Sequence, residues 1–262
     1  MKKIAIALVP AFPNKFPEAM LLMRNSAAAL MLALCFALTA CDQPEKPDAP
    51  ITSAARVLRE QAERGSAEAQ FQLSVAYRYG TNVELDTAQA VAWMRKSAEQ
   101  GYAPAQTALG VMYKDGFGDI KRDDAQAVVW FHRAAEQEEL SAYHQLGLVY
   151  AEGRGVAQDA AQAVDWLRRA AERGYAPSQY QLGMMYEQGQ GMARDDIQAA
   201  DWYRKAAEQG QADAQNKIGI LYRDGRGVTR DDAVASAWFR KAAEQGVADA
   251  AKNLHAMEDR VR

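Results

Sequence analysis

The sequence predicts an all-α protein, a solenoid of stacked helix hairpins, and three observations carry that prediction. Trp93, Trp130, Trp166, Trp202 and Trp238 are separated by 37, 36, 36 and 36 residues. A fixed period of about 20–50 residues marks a repeat architecture. The segment KRDDAQAVVWFHRAAEQ at 121–137 returns downstream as AQDAAQAVDWLRRAAER, ARDDIQAADWYRKAAEQ and TRDDAVASAWFRKAAEQ, and upstream as ELDTAQAVAWMRKSAEQ. Each of these follows a segment with apolar residues at helical spacing, usually closed by a Gly-x-Gly loop.

The repeat at 174–209 shows how each element arises. Ala176, Leu182, Met185 and Tyr186 share one helical face, which predicts a first helix. Gly189-Gln190-Gly191 ends it, because glycine tolerates the positive φ of a tight helix exit. Asp195 offers its carboxylate to the free N–H groups of the next helix, and Asp196 adds favourable charge at the positive end of the dipole. Ala199, Trp202, Ala206 and Ala207 form the apolar stripe of the second helix, which Gly210 closes. Tryptophan and tyrosine are expected to fill the space between hairpins. Neither helix can bury its stripe alone, so stability comes from stacking.

The pattern A-x-A-x₃-LG-x₂-Y-x₂-G-x-G…D…A-x₂-W-x₃-AA-x₂-G resembles the Sel1-like repeat family. Five copies are legible, at 65–100, 101–137, 138–173, 174–209 and 210–245. The resemblance implies an α/α solenoid with a right-handed superhelical twist. Residues 54–64 align with a second helix in which Val57 replaces tryptophan, and 246–262 align with a first helix; both are expected to cap the stack. Repeat one has Ser74 in place of the packing glycine and Asn82 in place of the second loop glycine. Repeat two gains a residue in GFGDIKRDD, and repeat three opens with Glu138-Glu139-Leu140 where other copies have glycine, so that junction is expected to differ.

The N-terminal region reads as an address. Arg24, the apolar run Ala27–Ala37 and Leu38-Thr39-Ala40-Cys41 resemble a bacterial lipoprotein signal and lipobox. Residues 1–40 are then expected to be a signal peptide, with Met20 and Met23 as alternative starts, Cys41 to carry lipid, and 41–53 to form a proline-rich flexible tether. That places the protein on the cell envelope facing the periplasm. Asp42 resembles the enteric signal for the inner membrane. Without residues 1–40 the chain has 27 basic and 33 acidic residues, a net charge of −6, which argues against a nucleic-acid partner.

The acid pairs Asp123-Asp124, Asp195-Asp196 and Asp231-Asp232 are read as helix caps rather than cation ligands. His132, His144 and His255 lie apart, without metal-ligand spacing. A basic ladder follows the tryptophans, with Arg95-Lys96, Arg168-Arg169, Arg204-Lys205 and Arg240-Lys241; it reads as a solvated face or a contact for lipid phosphates. No catalytic residue, metal or cofactor is predicted. Cysteine-rich relatives are linked to β-lactam chemistry, but their disulfide cysteines are missing here.

In related helical-hairpin solenoids the first helices line the concave face. Alignment then predicts a partner-binding row of Phe71, Thr107, His144, Tyr180 and Asn216, and a second row of Val75, Val111, Leu148, Met184 and Ile220. A third row is Arg78, Lys114, Ala151, Glu187 and Arg223. An apolar middle row between variable ones suits a protein or peptide partner. The resemblance implies a non-catalytic adaptor, or an immunity protein against a type VI secretion phospholipase toxin.

Overall fold

The computed structural model describes residues 53–258. Twelve helices follow one another: α1 (Ser53–Glu63), α2 (Ala67–Tyr79), α3 (Thr87–Glu99), α4 (Ala103–Asp115), α5 (Asp124–Ala135), α6 (Leu140–Glu152), α7 (Ala160–Glu172), α8 (Ala176–Gln188), α9 (Asp196–Glu208), α10 (Ala212–Asp224), α11 (Asp232–Glu244) and α12 (Ala248–Glu258). Each packs chiefly on its neighbours in the chain, and the mates of a hairpin pack more extensively than helices of successive hairpins. The result is a solenoid of five hairpins, α2/α3 to α10/α11, flanked by α1 and α12. The expected signal peptide (1–40), Cys41 and residues 42–52 of the expected tether lie outside the described residues.

The aspartates act as the caps the sequence predicted. Asp86, Asp123, Asp159, Asp195 and Asp231 have extended backbones, and their carboxylates accept first-turn N–H groups at 2.9 to 3.0 Å. The backbone N–H of each aspartate donates to the repeat's own tyrosine carbonyl, at 2.8 to 3.0 Å, closing the interhelical loop.

As expected, tryptophans pack between hairpins: Trp130 joins Val91, Met94 and Leu109, and Trp202 joins Val164, Leu167 and Leu182. Within each hairpin lies a deeper filler that the sequence reading did not single out. It is the residue after each tryptophan: Met94, Phe131, Leu167, Tyr203 and Phe239 all have at most 1% of their surface exposed. A β-carbon at Gly110, Gly147, Gly183 or Gly219 would stand 2.5 to 2.7 Å from that side chain, so glycine sets the separation of the two helices. In repeat one, Ser74 is buried opposite Met94, and its hydroxyl donates to the Ala90 carbonyl at 2.6 Å.

The irregular junctions have local solutions. Glu138 takes a φ of 61°, a conformation that glycine provides at the other junctions, and Asn82 does the same in its loop with a φ of 63°. The longer loop of repeat two folds into a Phe117–Ile120 bridge that buries Ile120, and Phe117 packs near Trp93.

Candidate partner-binding face

Two sets of contacts between repeats position the first helices. A buried glutamine forms a clamp in four repeats. The amide nitrogens of Gln70, Gln106, Gln179 and Gln215 donate to the carbonyls of Ala62, Ala98, Ala171 and Ala207 at 3.0 to 3.2 Å. Their side-chain oxygens accept from Gln100, Gln137, Gln209 and Gln245 at 2.6 to 2.9 Å. In repeat three both partners change together, and Arg173 lies over the Tyr143 ring, 5.6 Å from its centroid. The second set joins loops to the preceding repeat. Arg154 donates to Asp124 at 2.8 Å and Arg226 to Asp196 at 3.1 Å. Gly227 beside Arg226 has a φ of 67°, and a β-carbon there would run into the Asp196 carbonyl. Arg122 first and then Arg154 hold the Asp124 carboxyl down to about 2, and Arg194 first and then Arg226 do the same for Asp196.

These contacts array the predicted rows along α2, α4, α6, α8 and α10. Phe71, His144, Tyr180 and Asn216 are half-buried. Phe71 meets Tyr102 with ring centroids 5.6 Å apart, His144 meets Tyr175 at 5.6 Å and Ser178 Oγ at 3.0 Å, and Asn216 accepts from Asn253 at 3.1 Å. Tyr180 packs on Tyr203 at 5.7 Å. Thr107 departs from the expectation: it is 6% exposed, and its hydroxyl donates to the Ala103 carbonyl at 3.2 Å, so it supports the helix rather than a surface. Val75, Val111, Leu148, Met184 and Ile220 are half-buried in all five copies.

The third row is mixed in charge. Glu187 accepts from the Tyr203 hydroxyl at 2.8 Å, Lys217 at 3.2 Å and Arg226 at 3.1 Å. Burial opposes its charge, but Tyr203 and the two cations outweigh it and hold its pKa below the usual carboxylate value. Lys114 donates to Gln145 at 3.2 Å, and Arg78 lies 4.7 Å from the Phe117 ring centroid. Tyr102 and Tyr175 have raised pKa values, through burial and then through carboxylates: Glu68 and Glu139 beside Tyr102, Glu139 beside Tyr175.

On the second helices, the basic ladder covers the tryptophans. Lys96, Arg133, Arg169, Lys205 and Lys241 stand 3.9 to 4.7 Å from the indole centroids of Trp93, Trp130, Trp166, Trp202 and Trp238. The three-residue spacing was visible in the sequence, but the stacking was not anticipated. Arg95, Arg168 and Arg204 pair with Asp119, Asp165 and Asp201. Among the described residues no three His, Cys, Asp or Glu side chains gather as a metal site. No described helix is long and apolar enough to cross a membrane.

The Sel1 repeat model matches residues 67–102, 103–139, 140–175, 176–211 and 212–247, two residues later in phase than the sequence reading. A solved structure of c5321, a protective antigen of uropathogenic Escherichia coli with an SLR fold, is 41% identical with a TM-score of 0.70; the match covers 77% of this chain and 43% of that one. This chain therefore spans less than half the length of that relative. A Sel1 repeat protein from Oxalobacter formigenes is 33% identical over 78% of both chains, with a TM-score of 0.67. The immunity protein Pa5087 from Pseudomonas aeruginosa shares the fold, at 20% identity over 74% of both chains and a TM-score of 0.53. No functionally curated protein matches. The recurring Leu-Gly face, the aspartate caps and the five matched repeats together make this chain a member of the Sel1 repeat family.

Proposed function

We propose that the protein is a non-catalytic adaptor that binds another protein along the face of its first helices, the concave side of the solenoid. One observation carries the reading: Val75, Val111, Leu148, Met184 and Ile220 are half-buried in every copy, while the rows beside them change from repeat to repeat. A constant apolar stripe supplies contact area, and variable neighbours supply selectivity. A lipid on Cys41 would hold the adaptor on the envelope, facing the periplasm; the lipobox-like Leu38-Thr39-Ala40-Cys41 supports this.

A photo-crosslinking residue at 148 or 184, introduced in the native cell, should capture a discrete protein. The same residue at the exposed position 197 should not. Capture from 197 alone, or from none of the three, overturns the reading. Fractionation of cells carrying Cys41→Ser tests the anchor, since unchanged processing and membrane retention would exclude lipidation at that residue. The immunity protein Pa5087 motivates a second reading, in which the captured protein is a toxin; growth rescue on co-expression would identify it as such.

A further inference from the structure

The N-terminal end of the solenoid departs from the repeat pattern. Among the described residues five large apolar side chains are exposed, and three of them lie in α1 and repeat one: Val57 at 55%, Tyr79 at 50% and Leu85 at 61%. Val57 stands where the five repeats have tryptophan. Tyr79 ends its helix where Asp115, Glu152, Gln188 and Asp224 end theirs. Leu85 precedes its cap where Arg122, Gln158, Arg194 and Arg230 precede theirs. α1 and the loop after α2 meet at a corner, where Ala54, Leu58, Val75, Ala76, Thr81 and Asn82 line one open depression of about 250 Å³. Ala54 is exposed and Leu58 half-buried, although their counterparts Ala90 and Met94 are at most 1% exposed. Ser53 opens α1 at this corner, and residues 42–52 separate it from Cys41. An extended chain advances about 3.3–3.6 Å per residue, so a lipid on Cys41 would keep Ser53 within about 40 Å of the bilayer.

We propose that this corner rests on the phospholipid surface, with Val57, Tyr79 and Leu85 in the interfacial layer, so that the solenoid stands on the membrane at its N-terminal end. This seating presupposes the lipid on Cys41 proposed above and adds what the folded domain itself does at the bilayer. A short tether gives the corner an effective concentration at the membrane on the order of millimolar. Contacts too weak to bind a free protein therefore suffice to seat an anchored one. Tyr79 has an apolar ring with a polar tip, and the Arg78 guanidinium lies 5.5 Å from its centroid, a pair suited to the headgroup layer. Glu84, beside Leu85, is the single acid in the loop 80–85 and is exposed, so it stays in water while its neighbour inserts.

The test uses the full chain, purified from membranes as the cell processes it and mixed with vesicles of phosphatidylethanolamine and phosphatidylglycerol that carry nitroxide on their headgroups. With Cys35 removed and Cys41 acylated, an introduced cysteine is the one free thiol. A fluorophore is placed through Val57→Cys, Leu85→Cys or, as the exposed control, Ile197→Cys. Labels at 57 and 85 should be quenched at least about twofold more than the label at 197, as expected for side chains about 5–10 Å into the headgroup boundary. Equal quenching at all three, in protein that floats with the vesicles, overturns the proposal and leaves the anchor standing. Protein that does not float has no lipid at Cys41, and both readings fall. Shielding of the label at 57 without quenching means that a second copy covers the corner, which also overturns the proposal. Tyr79→Asp with Leu85→Arg installs the residues that repeats two and five carry at these positions, so the fold should hold. The pair should remove most of the extra quenching at 57; unchanged quenching would show that the apolar corner does not seat the protein.

Discussion

His144 shows how one residue ties the face to stability. It lies between repeats three and four, against Tyr175 and Ser178 Oγ. Burial, and then the positive charge of Lys114, depress its pKa to about 4 from the ordinary 6.5. The unfolded chain therefore takes up this proton at a higher pH than the folded protein. The stability linked to His144 is complete above about pH 6.5 and is lost as pH falls from there to about 4. Between pH 7 and pH 5 the loss should be about 1–2 kcal/mol. His144→Gln removes the titration and keeps a polar group facing Ser178, so its melting temperature should fall less over that interval. Equal falls would show that His144 does not titrate as the structure requires. Sequence alone read His144 as a surface residue in a binding row, because the depth of a side chain between two repeats depends on how the repeats stack.

At the scale of an element, a hairpin is fixed by short-range features and its attachment by long-range ones. The aspartate caps and the Leu-Gly face were legible because their partners recur at fixed, short distances in the chain. The glutamine clamp was not. Gln179 and Gln209 are 30 residues apart, and glutamine on a helix ordinarily reads as a solvated residue. The exchange to Tyr143 and Arg173 in repeat three marks the two positions as one unit. Gln179→Tyr alone should take from the Ala171 carbonyl and the Gln209 amide the bonds that Gln179 makes, leaving Ala171 its backbone donor Gly174 and Gln209 its long bond to the Lys205 carbonyl, and destabilise by about 1 kcal/mol. Adding Gln209→Arg recreates the repeat-three pair and should recover part of that loss. Additive losses in a double-mutant cycle, measured by chemical denaturation, would show that the positions are not coupled.

The whole molecule follows from contacts that reach only to adjacent repeats, so an interior repeat is removable if the new neighbours match. The repeats are not equivalent in this respect. Deleting 138–173 would join Gln137 to Gly174, a Gln-Gly junction like Gln100-Gly101 and Gln209-Gly210. By the 36-residue register Gln179 would meet the Ala135 carbonyl in place of Ala171, and Lys114 would face Gln181 in place of Gln145. The bonds among Glu187, Asp196, Lys217 and Arg226 would survive, and the Arg154–Asp124 pair would be lost, with Asp124 keeping Arg122. Deleting 174–209 removes the same number of residues but takes Glu187 and Asp196 with it. Lys217 and Arg226 would then face Ala151 and Ala160, with no carboxylate in reach. Both cations are partly exposed, so the penalty should be modest, about 1 kcal/mol more than for the first deletion. Both shortened proteins should show helical circular dichroism, and the one lacking 138–173 should melt cooperatively and several degrees higher. An equal or reversed order would mean that stability here depends on the number of repeats and not on the charges that join them.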